Sequence, residues 1–474
     1  MSDVSLETIV SLCKRRGFIY QGSEIYGGLA GTWDYGPLGV VLKRKILNLW
    51  WETFVGSRDN MYDVDAAILM NQKVWQASGH VSGFSDPMVE CLNCHLRLRQ
   101  DHVKDGKCPV CGTKDKFSEP RQFNMMFKTK VGPLSDQIKL VLEKGFIDKV
   151  SAEFAATNTD KKEITLSDAQ LDDGGDYVSY LRPETAQGIF TNYKNILDSF
   201  YPDLPFGIAQ IGKAFRNEIS PRDFIFRSRE FEQMEIEYFI HPDQWQETFD
   251  KWVTDIDKFL HELGLPAEKI HQLEVPEADR AHYSKRTIDF EFDFPIGREE
   301  LLGLAYRTDF DLQNIQKATG KSMEYRPKDG GAPFVPHVIE PSFGVERAVM
   351  AVLSAAYTED EINGEKRSYL KLPAHLAPVR VAVSPLLKNK PELVAKAQEV
   401  YELLKKEFGA VMYDDNGNIG KRYRRQDEIG TPYCVTIDFD SLEDDTVTVR
   451  NRDTTEQNRH KITDLTTLLS SKSE

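Results

Sequence analysis

The chain has 474 residues, 40% hydrophobic and 28% charged, with a formal net charge of −15 at pH 7. That length predicts two or three domains, the composition is that of an ordinary globular protein, and no apolar run approaches the ~18 residues that span a bilayer. The acidic balance argues against a nonspecific nucleic-acid binder, which needs Lys and Arg for phosphates, although a local basic patch is compatible with it.

The opening MSDVSLETIV lacks a basic segment followed by an apolar one, so no secretory signal is predicted and the cytoplasm is the expected location. Cys13 falls in an apolar helical stretch and reads as a core thiol. In WDYGPLGVVLKRKILNLWWETF (33–54), Pro37 follows a turn and starts a long amphipathic helix, a pattern that suits a core or an interface. CLNCHLRLRQDHVKDGKCPVCG then carries Cys91-x2-Cys94 and Cys108-x2-Cys111, with thirteen residues between the pairs. Two CxxC knuckles at that spacing fit a tetrahedral Zn²⁺ site of ribbon type, and in a cytosolic chain zinc is favoured over disulfides. Four thiolates leave no open position, so the expected role of the metal is structural; His95 and His102 are weaker substitutes as ligands. The polar run near 137–180 reads as a surface insertion.

IAQIGKAFRNEI (208–219) is predicted as a strand with Gln210, Gly212, Ala214, Arg216 and Glu218 on one face. Taken alone, Arg216-x-Glu218 is a surface ion pair. The loop SPRDFIFRSR leads into FEQMEIEYF (231–239), which places Phe231, Gln233, Glu235 and Glu237 on one face and Glu232, Met234, Ile236 and Tyr238 on the other. The two strands form a hairpin that brings Arg216, Glu218, Arg227, Phe231 and Glu235 toward one surface. TIDFEFDF and PHVIEPSF add strands to a large antiparallel sheet flanked by helices, and a helix follows with Arg347 in its first turn, by itself a solvated position. The charged run 358–369 reads as a linker or exposed crossover. From about residue 376 the pattern becomes a compact α/β unit, with strands in VRVAVSPL, AVMYDD, PYCVTID (holding Cys434, a second core thiol) and TVTVRNR and a helix opening at Pro391. The predicted boundaries are 1–365 for the first domain, including a knuckle at 88–115, and 376–474 for the second. A basic cluster in the second, Lys421, Arg422, Arg424 and Arg425, suits either phosphate contact or a helix paired internally with Asp427 and Glu428.

These residue types suit a nucleotide: guanidinium groups pair with phosphates, a phenyl ring stacks on a base, and a carboxylate accepts from an amino group. In this order, Arg-x-Glu, a loop, Arg-x3-Phe-x3-Glu and then Gly-x-Glu-Arg opening a helix resemble motifs 2 and 3 of the class II aminoacyl-tRNA synthetases, and the Pro37 segment resembles their motif 1, a dimer-interface helix. VWQASGH, YLRPETAQGIF, FRNEISPRDFIFRSREFEQMEIEYF and IGKRYRRQDEIGTPYCVTIDFDSLEDDTVTVRNRD are similar to the homodimeric glycyl branch of that family over most of the chain.

The resemblance implies an α+β class II catalytic domain with a zinc knuckle and a C-terminal anticodon-binding domain. It implies ATP (with Mg²⁺), glycine and tRNA(Gly) as partners, a homodimer, and no membrane. It implies Arg216 on the α-phosphate, Glu218 at the adenine, Phe231 stacked on it, and Arg227 and Arg347 on the outer phosphates or the opposite adenine face. Asn217, Phe226, Leu301 and Gly344 line the nucleotide, and Glu300 meets nucleotide or Mg²⁺. Arg216 and Arg347 are the expected catalytic pair. The implied glycine pocket is Glu184, Glu235, Glu340, Ser342 and Arg99, with Arg307 nearby and Phe231 and Gly344 at its edge. Its physical logic is independent of the family: clustered carboxylates select an ammonium and crowd the α-carbon, so an added methyl is rejected. Arg298 departs from the family's usual aromatic. Two alternatives remain: a class II synthetase for another amino acid, such as the threonyl or prolyl enzyme, and a non-catalytic synthetase-like nucleic-acid-binding accessory subunit. The second should lack the arginine set. A stand-alone zinc module explains only the knuckle.

Overall fold

Period-two alternation along the middle of the chain builds one large sheet, and the helices it meets carry their apolar residues at a spacing of three to four. The structure, a computed structural model, describes residues 4–131, 178–281, 283–362 and 364–470. Its main elements up to residue 356 are α1 (Leu6–Arg16), α2 (Pro37–Trp51), β1 (Met61–Asp63), α3 (Ala186–Phe200), β2 (Phe206–Phe215), β3 (Glu230–Ile240), α4 (Trp245–Glu262), β4 (Ile270–Glu274), β5 (Arg286–Phe294), β6 (Gly297–Thr308), α5 (Phe310–Thr319), β7 (His337–Gly344) and α6 (Val345–Ala356). The insertion expected near 137–180 lies, up to residue 177, outside the described residues; its last residues belong to the strand Val178–Leu181, which pairs with Leu69–Met70 and Lys128–Lys130.

Seven strands form the sheet in the order β4-β5-β6-β7-β3-β2-β1. Neighbours are antiparallel except at the edge, where β1 runs parallel to β2. One face is apolar. Met234, Ile236, Leu302, Leu304 and Phe343 pack there against Leu42, Ile46 and Trp50 of α2, Trp252, Ile256 and Phe259 of α4, and Val349, Met350 and Leu353 of α6. Each such side chain contributes roughly 1.5–3 kcal/mol relative to exposure. Pro37 takes the first position of α2, where its missing N–H costs nothing. Gly39 lets that helix sit against residue 18, since a Cβ there would come within 1.9 Å of the Phe18 carbonyl oxygen.

Among the described residues the other face is packed at one end, where Phe206, Ile208, Phe239 and Val338 meet Ile189, Phe190 and Tyr193 of α3 and Leu312 of α5. Beyond that cover, Phe231, Gln233, Glu235 and Glu237 leave the same face of β3, as their alternation requires.

The segment 358–369 is a correction to the linker expectation. It forms most of an antiparallel hairpin of β8 (Tyr357–Ile362) and β9 (Glu365–Leu370). Arg367 on β9 is buried; it pairs with Asp360 across the hairpin and with Asp427, which Arg450 also holds at 2.8 and 3.0 Å. The main elements after residue 370 are β10 (Val381–Pro385), α7 (Pro391–Phe408), β11 (Val411–Tyr413), α8 (Ile419–Glu428), β12 (Tyr433–Ile437), β13 (Thr446–Asn451) and β14 (Gln457–Lys461). The five strands order as β11-β10-β12-β13-β14, with β10 parallel to both neighbours, and α7 packs Leu393, Ala397, Val400 and Leu404 onto them. Cys13 and Cys434 are both buried thiols.

In the basic cluster on α8, Arg422 is buried, Arg424 and Arg425 are partly exposed, and all three are paired within the chain. Arg422 donates to the carbonyls of Pro385, Asp415 and Gly417, Arg425 pairs with Asp414, and Arg424 bonds Glu365 and the Lys366 carbonyl. Asp427 and Glu428 are taken by other arginines, Glu428 by Arg15 and Arg16 of α1. Internal pairing is therefore what these three arginines do, with partners other than the two expected.

Candidate active site

Strand register sets the site. Gln210, Glu235, Ser342 and Gly303 form one row across β2, β3, β7 and β6. One step along, Gly212, Gln233 and Gly344 form the next, and Phe231 lies opposite Ala214 beyond them. Gly212 is required by a close approach, because a Cβ there would fall 2.2 Å from Nη2 of the buried Arg182.

At the inner end of this face sits a group of buried acids. Glu235 accepts hydrogen bonds from Ser342 Oγ at 2.7 Å and from the Thr185 hydroxyl. Glu340 receives Nη1 of Arg307 on both oxygens at 3.0 Å. Arg307 also holds Asp311, at 2.8 and 2.9 Å, and its guanidinium lies 3.9 Å from the Tyr283 ring. Glu184 lies 3.3 Å from His80 Nε2, and His80 is fixed in turn by the Ser78 hydroxyl at 2.8 Å.

The environments of these acids split. Burial would raise Glu184, but the His80 contact, then Arg307 and Arg216, override it and hold that carboxyl at about 2. Burial, reinforced by Glu184, raises Glu235. Burial also lifts Glu340 to about 8, against Arg307 and with repulsion from Glu235 and Glu184. Fixed negative charge and sites that want a cation thus stand side by side.

The outer end carries guanidinium groups. Arg216 lies just past the end of β2; its Nε donates to the Pro183 carbonyl at 3.1 Å, and its guanidinium is 5.2 Å from the Phe231 ring and 5.4 Å from Phe84. Asn217 is pinned through its N–H to the Met125 carbonyl. Glu218 is buried with Oε2 unpartnered among the described residues, and its carboxyl is raised by burial against the pull of Arg227 and Arg216. Arg227 likewise has a buried unpartnered Nη1. Unsatisfied buried polar atoms call for a partner, and a bound ligand is one that could supply it. Arg347, in the first turn of α6, pairs with Glu300 at 3.0 Å and covers the Phe226 ring at 4.5 Å. Leu301 and Phe226 are buried, and Gly344 caps α6.

Arg99 lies at this outer end. Its partners are Asp86 at 2.9 Å and Asp101 at 3.1 Å, with Glu218 the next acid, rather than Glu235 or Glu340. Arg298 is exposed and pairs with Asp293.

Several residues here were not singled out from the sequence. His80, Thr185 and Asp311 each fix one of the acids or its arginine. Asp289 faces Glu300: oxygens of both lie 3.7–3.9 Å from where a Gly303 Cβ would be. Burial and Glu300 raise Asp289 to about 6. The signal was present for Asp289, since alternation in TIDFEFDF places it on the polar face. For Thr185 it was the place next to Glu184 in YLRPETAQGIF.

The four knuckle cysteines converge. Cys91 Sγ is 3.6 Å from Cys111 Sγ, and Cys94 Sγ is 3.6 Å from Cys108 Sγ; all four lie within 4.8 Å of one another. A tetrahedral ion with metal–sulfur bonds of about 2.3 Å needs sulfurs about 3.8 Å apart, so the four can hold a metal ion. Each knuckle closes alike, with the N–H of His95 on the Cys91 carbonyl and that of Gly112 on the Cys108 carbonyl, His95 and Gly112 both being at positive φ. The knuckle strand Arg97–Arg99 touches the site loop through Ser220 Oγ, which donates to the Arg97 carbonyl at 3.2 Å.

Residues 168–356 match the family model of the class II core domain of tRNA synthetases (G, H, P, S and T), and residues 380–472 match that of an anticodon binding domain. Over 97% of its length the chain is 43% identical to a glycine–tRNA ligase of Cutibacterium acnes, covering 95% of that protein. It is 44% identical to the glycine–tRNA ligases of Thermobifida fusca (97% of this chain, 96% of the relative) and Deinococcus radiodurans (98% of each).

Proposed function

The chain belongs to the glycine–tRNA ligases, class II synthetases that join glycine to tRNA, and on that premise we propose how its residues divide the work. The observation that carries the proposal is one sheet face with buried carboxylates at its inner end and guanidinium groups at its outer end. ATP lies across the outer end. Arg216 grips the α-phosphate, Phe231 stacks on the adenine and Glu218 accepts from its amino group. Arg227 and Arg347 take the outer phosphates or the opposite adenine face, while Asn217, Phe226, Leu301 and Gly344 shape the cleft. The glycine ammonium sits among Glu184, Glu235 and Glu340, with Ser342 and Arg307 fixing the last two. Arg99, beside Glu218, serves where the two substrates meet. A methyl on the α-carbon would have to displace carboxylates that are held by Thr185, Ser342 and Arg307, and this is the basis of selectivity.

The chemistry follows from placement. The glycine carboxylate attacks the α-phosphorus in line, the bond to the bridging oxygen breaks, and pyrophosphate leaves with the electron pair. Arg216 stabilises charge on the reacting phosphate, and Arg347 charge on the leaving group. A terminal tRNA hydroxyl then attacks the glycyl carbonyl of the mixed anhydride and AMP departs. Mg²⁺ arriving with ATP would neutralise phosphate charge, and the hard oxygens of Glu300 and Asp289 fit it.

We also propose Zn²⁺ for the four cysteines, in a structural role, and the cytoplasm as the setting that keeps them reduced. No helix among the described residues is long and apolar enough to cross a membrane. A homodimer joined near the Pro37 helix would cover Ile25, Tyr26 and Leu29, which are 90%, 87% and 55% exposed.

Amino-acid-dependent exchange between pyrophosphate and ATP tests the assignment. Exchange with glycine alone is expected. Exchange with another amino acid would sink the pocket assignment, and no exchange from folded, zinc-loaded protein would favour a non-catalytic subunit.

Two outcomes follow from the geometry. Protons compete with the glycine ammonium at carboxyls whose affinity for protons is raised, Glu235 and Glu340, so glycine KM should rise as pH falls below about 8, by up to about tenfold per unit for each proton displaced. ATP KM should change less over that window. A glycine KM flat from pH 8 to pH 6 would contradict this. Stripping the metal, or Cys94→Ser, should unfold the knuckle, because metal binding supplies about 10 kcal/mol or more to small zinc modules. ATP KM should then rise more than glycine KM, since Ser220 and Arg99 tie the knuckle to the outer end. A chelator titration followed by exchange kinetics reads this out.

A further inference from the structure

The proposed chemistry leaves one acid of the site unused. Glu237 follows Glu235 by two residues on β3, so both side chains leave the same face. It is 0% exposed, and among the described residues neither of its carboxyl oxygens has a hydrogen-bond partner. One of those oxygens lies within 4.8 Å of an oxygen of Glu235 and an oxygen of Glu340. Among the described residues, the charged groups that act on it most are Glu340 of β7, Arg307 of β6, Glu235 of β3 and Asp311 of α5. Arg307 is the cation among them, and it is already committed to Asp311 and Glu340.

A buried carboxylate with no partner, pressed by three other acids, is not sustained as an anion; it takes a proton. Once protonated it becomes a donor as well as an acceptor. The acceptors in front of that donor are the carboxylates assigned to the glycine ammonium. A carboxylic acid kept neutral by its surroundings so that it can donate a hydrogen bond is an established catalytic device.

We propose that Glu237 is a positioning residue of the amino-acid pocket: a neutral carboxyl beneath the glycine site that donates to Glu340 and so holds that carboxyl aimed at the ammonium. The inference rests on the glycine assignment above. It separates Glu237 from Glu235, the identical residue two positions earlier. Glu235 faces substrate as an anion, and Glu237 supports from below as an acid.

Glu237→Gln and Glu237→Met test this in the full-length protein by pyrophosphate exchange, with glycine KM, ATP KM and kcat measured separately. Gln keeps a neutral donor of the same shape and is expected to leave glycine KM within about threefold of the parent. Met fills the volume without a donor and is expected to raise glycine KM about tenfold or more, as loss of a hydrogen bond to a charged group does, with ATP KM unchanged. A purely structural role would lower stability without separating the two KM values. A folded Gln variant as impaired as Met would show that the anion is needed and overturn the proposal. A Met variant with parental glycine KM would overturn it too. Should Met fail to fold, the Gln result alone decides, since Gln makes no demand on volume. A parent that shows no glycine-dependent exchange would take down the pocket assignment and this inference together.

Discussion

Replacing Arg216 by alanine is expected to lower the kcat of glycine-dependent exchange by about 10²–10³-fold, the cost of removing one preorganised group that stabilises developing charge. The fold should barely notice. Arg216 is half-buried, its hydrogen bond goes to a carbonyl, and among the described residues its guanidinium lies near the Phe84 and Phe231 rings rather than in an ion pair. A melting shift worth less than about 1 kcal/mol is therefore expected. Lysine should not rescue. A point charge on a flexible stem neither spans two phosphate oxygens nor stacks between two rings. Activity within threefold of the parent in the alanine variant would remove Arg216 from the phosphate and leave its place to Arg227 or Arg347.

The polar lining that makes this prediction possible was legible in the sequence because it depends on local periodicity. Once 231–239 alternates, Phe231, Gln233, Glu235 and Glu237 must share a face, and the structure places them so. The apolar side, Met234 and Ile236, was equally fixed. What failed to show was anything whose partner is distant in the chain. Residues 358–369 look like a charged linker until Asp427, 60 residues on, is placed against Arg367 and makes its charge a core feature. Arg422 suits a phosphate as well as an internal partner until Pro385, Asp415 and Gly417 turn their carbonyls to it. Nor could the sequence show that Arg99, assigned to the amino-acid pocket on resemblance, pairs with Asp86 and Asp101. Composition describes a charge, and only tertiary pairing says whether that charge is spent.

The same reasoning gives the largest expected effect on stability, at Arg307. This side chain is 2% exposed and sits between Asp311 and Glu340, both nearly buried. Arg307→Ala leaves two buried carboxyls without their cation, which in comparable buried pairs costs about 3–5 kcal/mol. It also opens space beside the Phe190 and Tyr283 rings that the guanidinium covers. The unfolding midpoint in urea should fall, and the residual folded protein should bind glycine poorly, because Glu340 loses its anchor while Glu184 and Glu235 still repel it. The two losses separate in Arg307→Met with Asp311→Leu. That pair removes one buried charge of each sign, and a well-packed apolar replacement of an ion pair is often neutral for stability. Stability should therefore return toward the parent. Glycine KM should not, since Glu340 remains unanchored and takes a proton in place of the ammonium. If the double variant recovered glycine binding along with stability, Arg307 would be a scaffold residue with no part in holding Glu340 to its task.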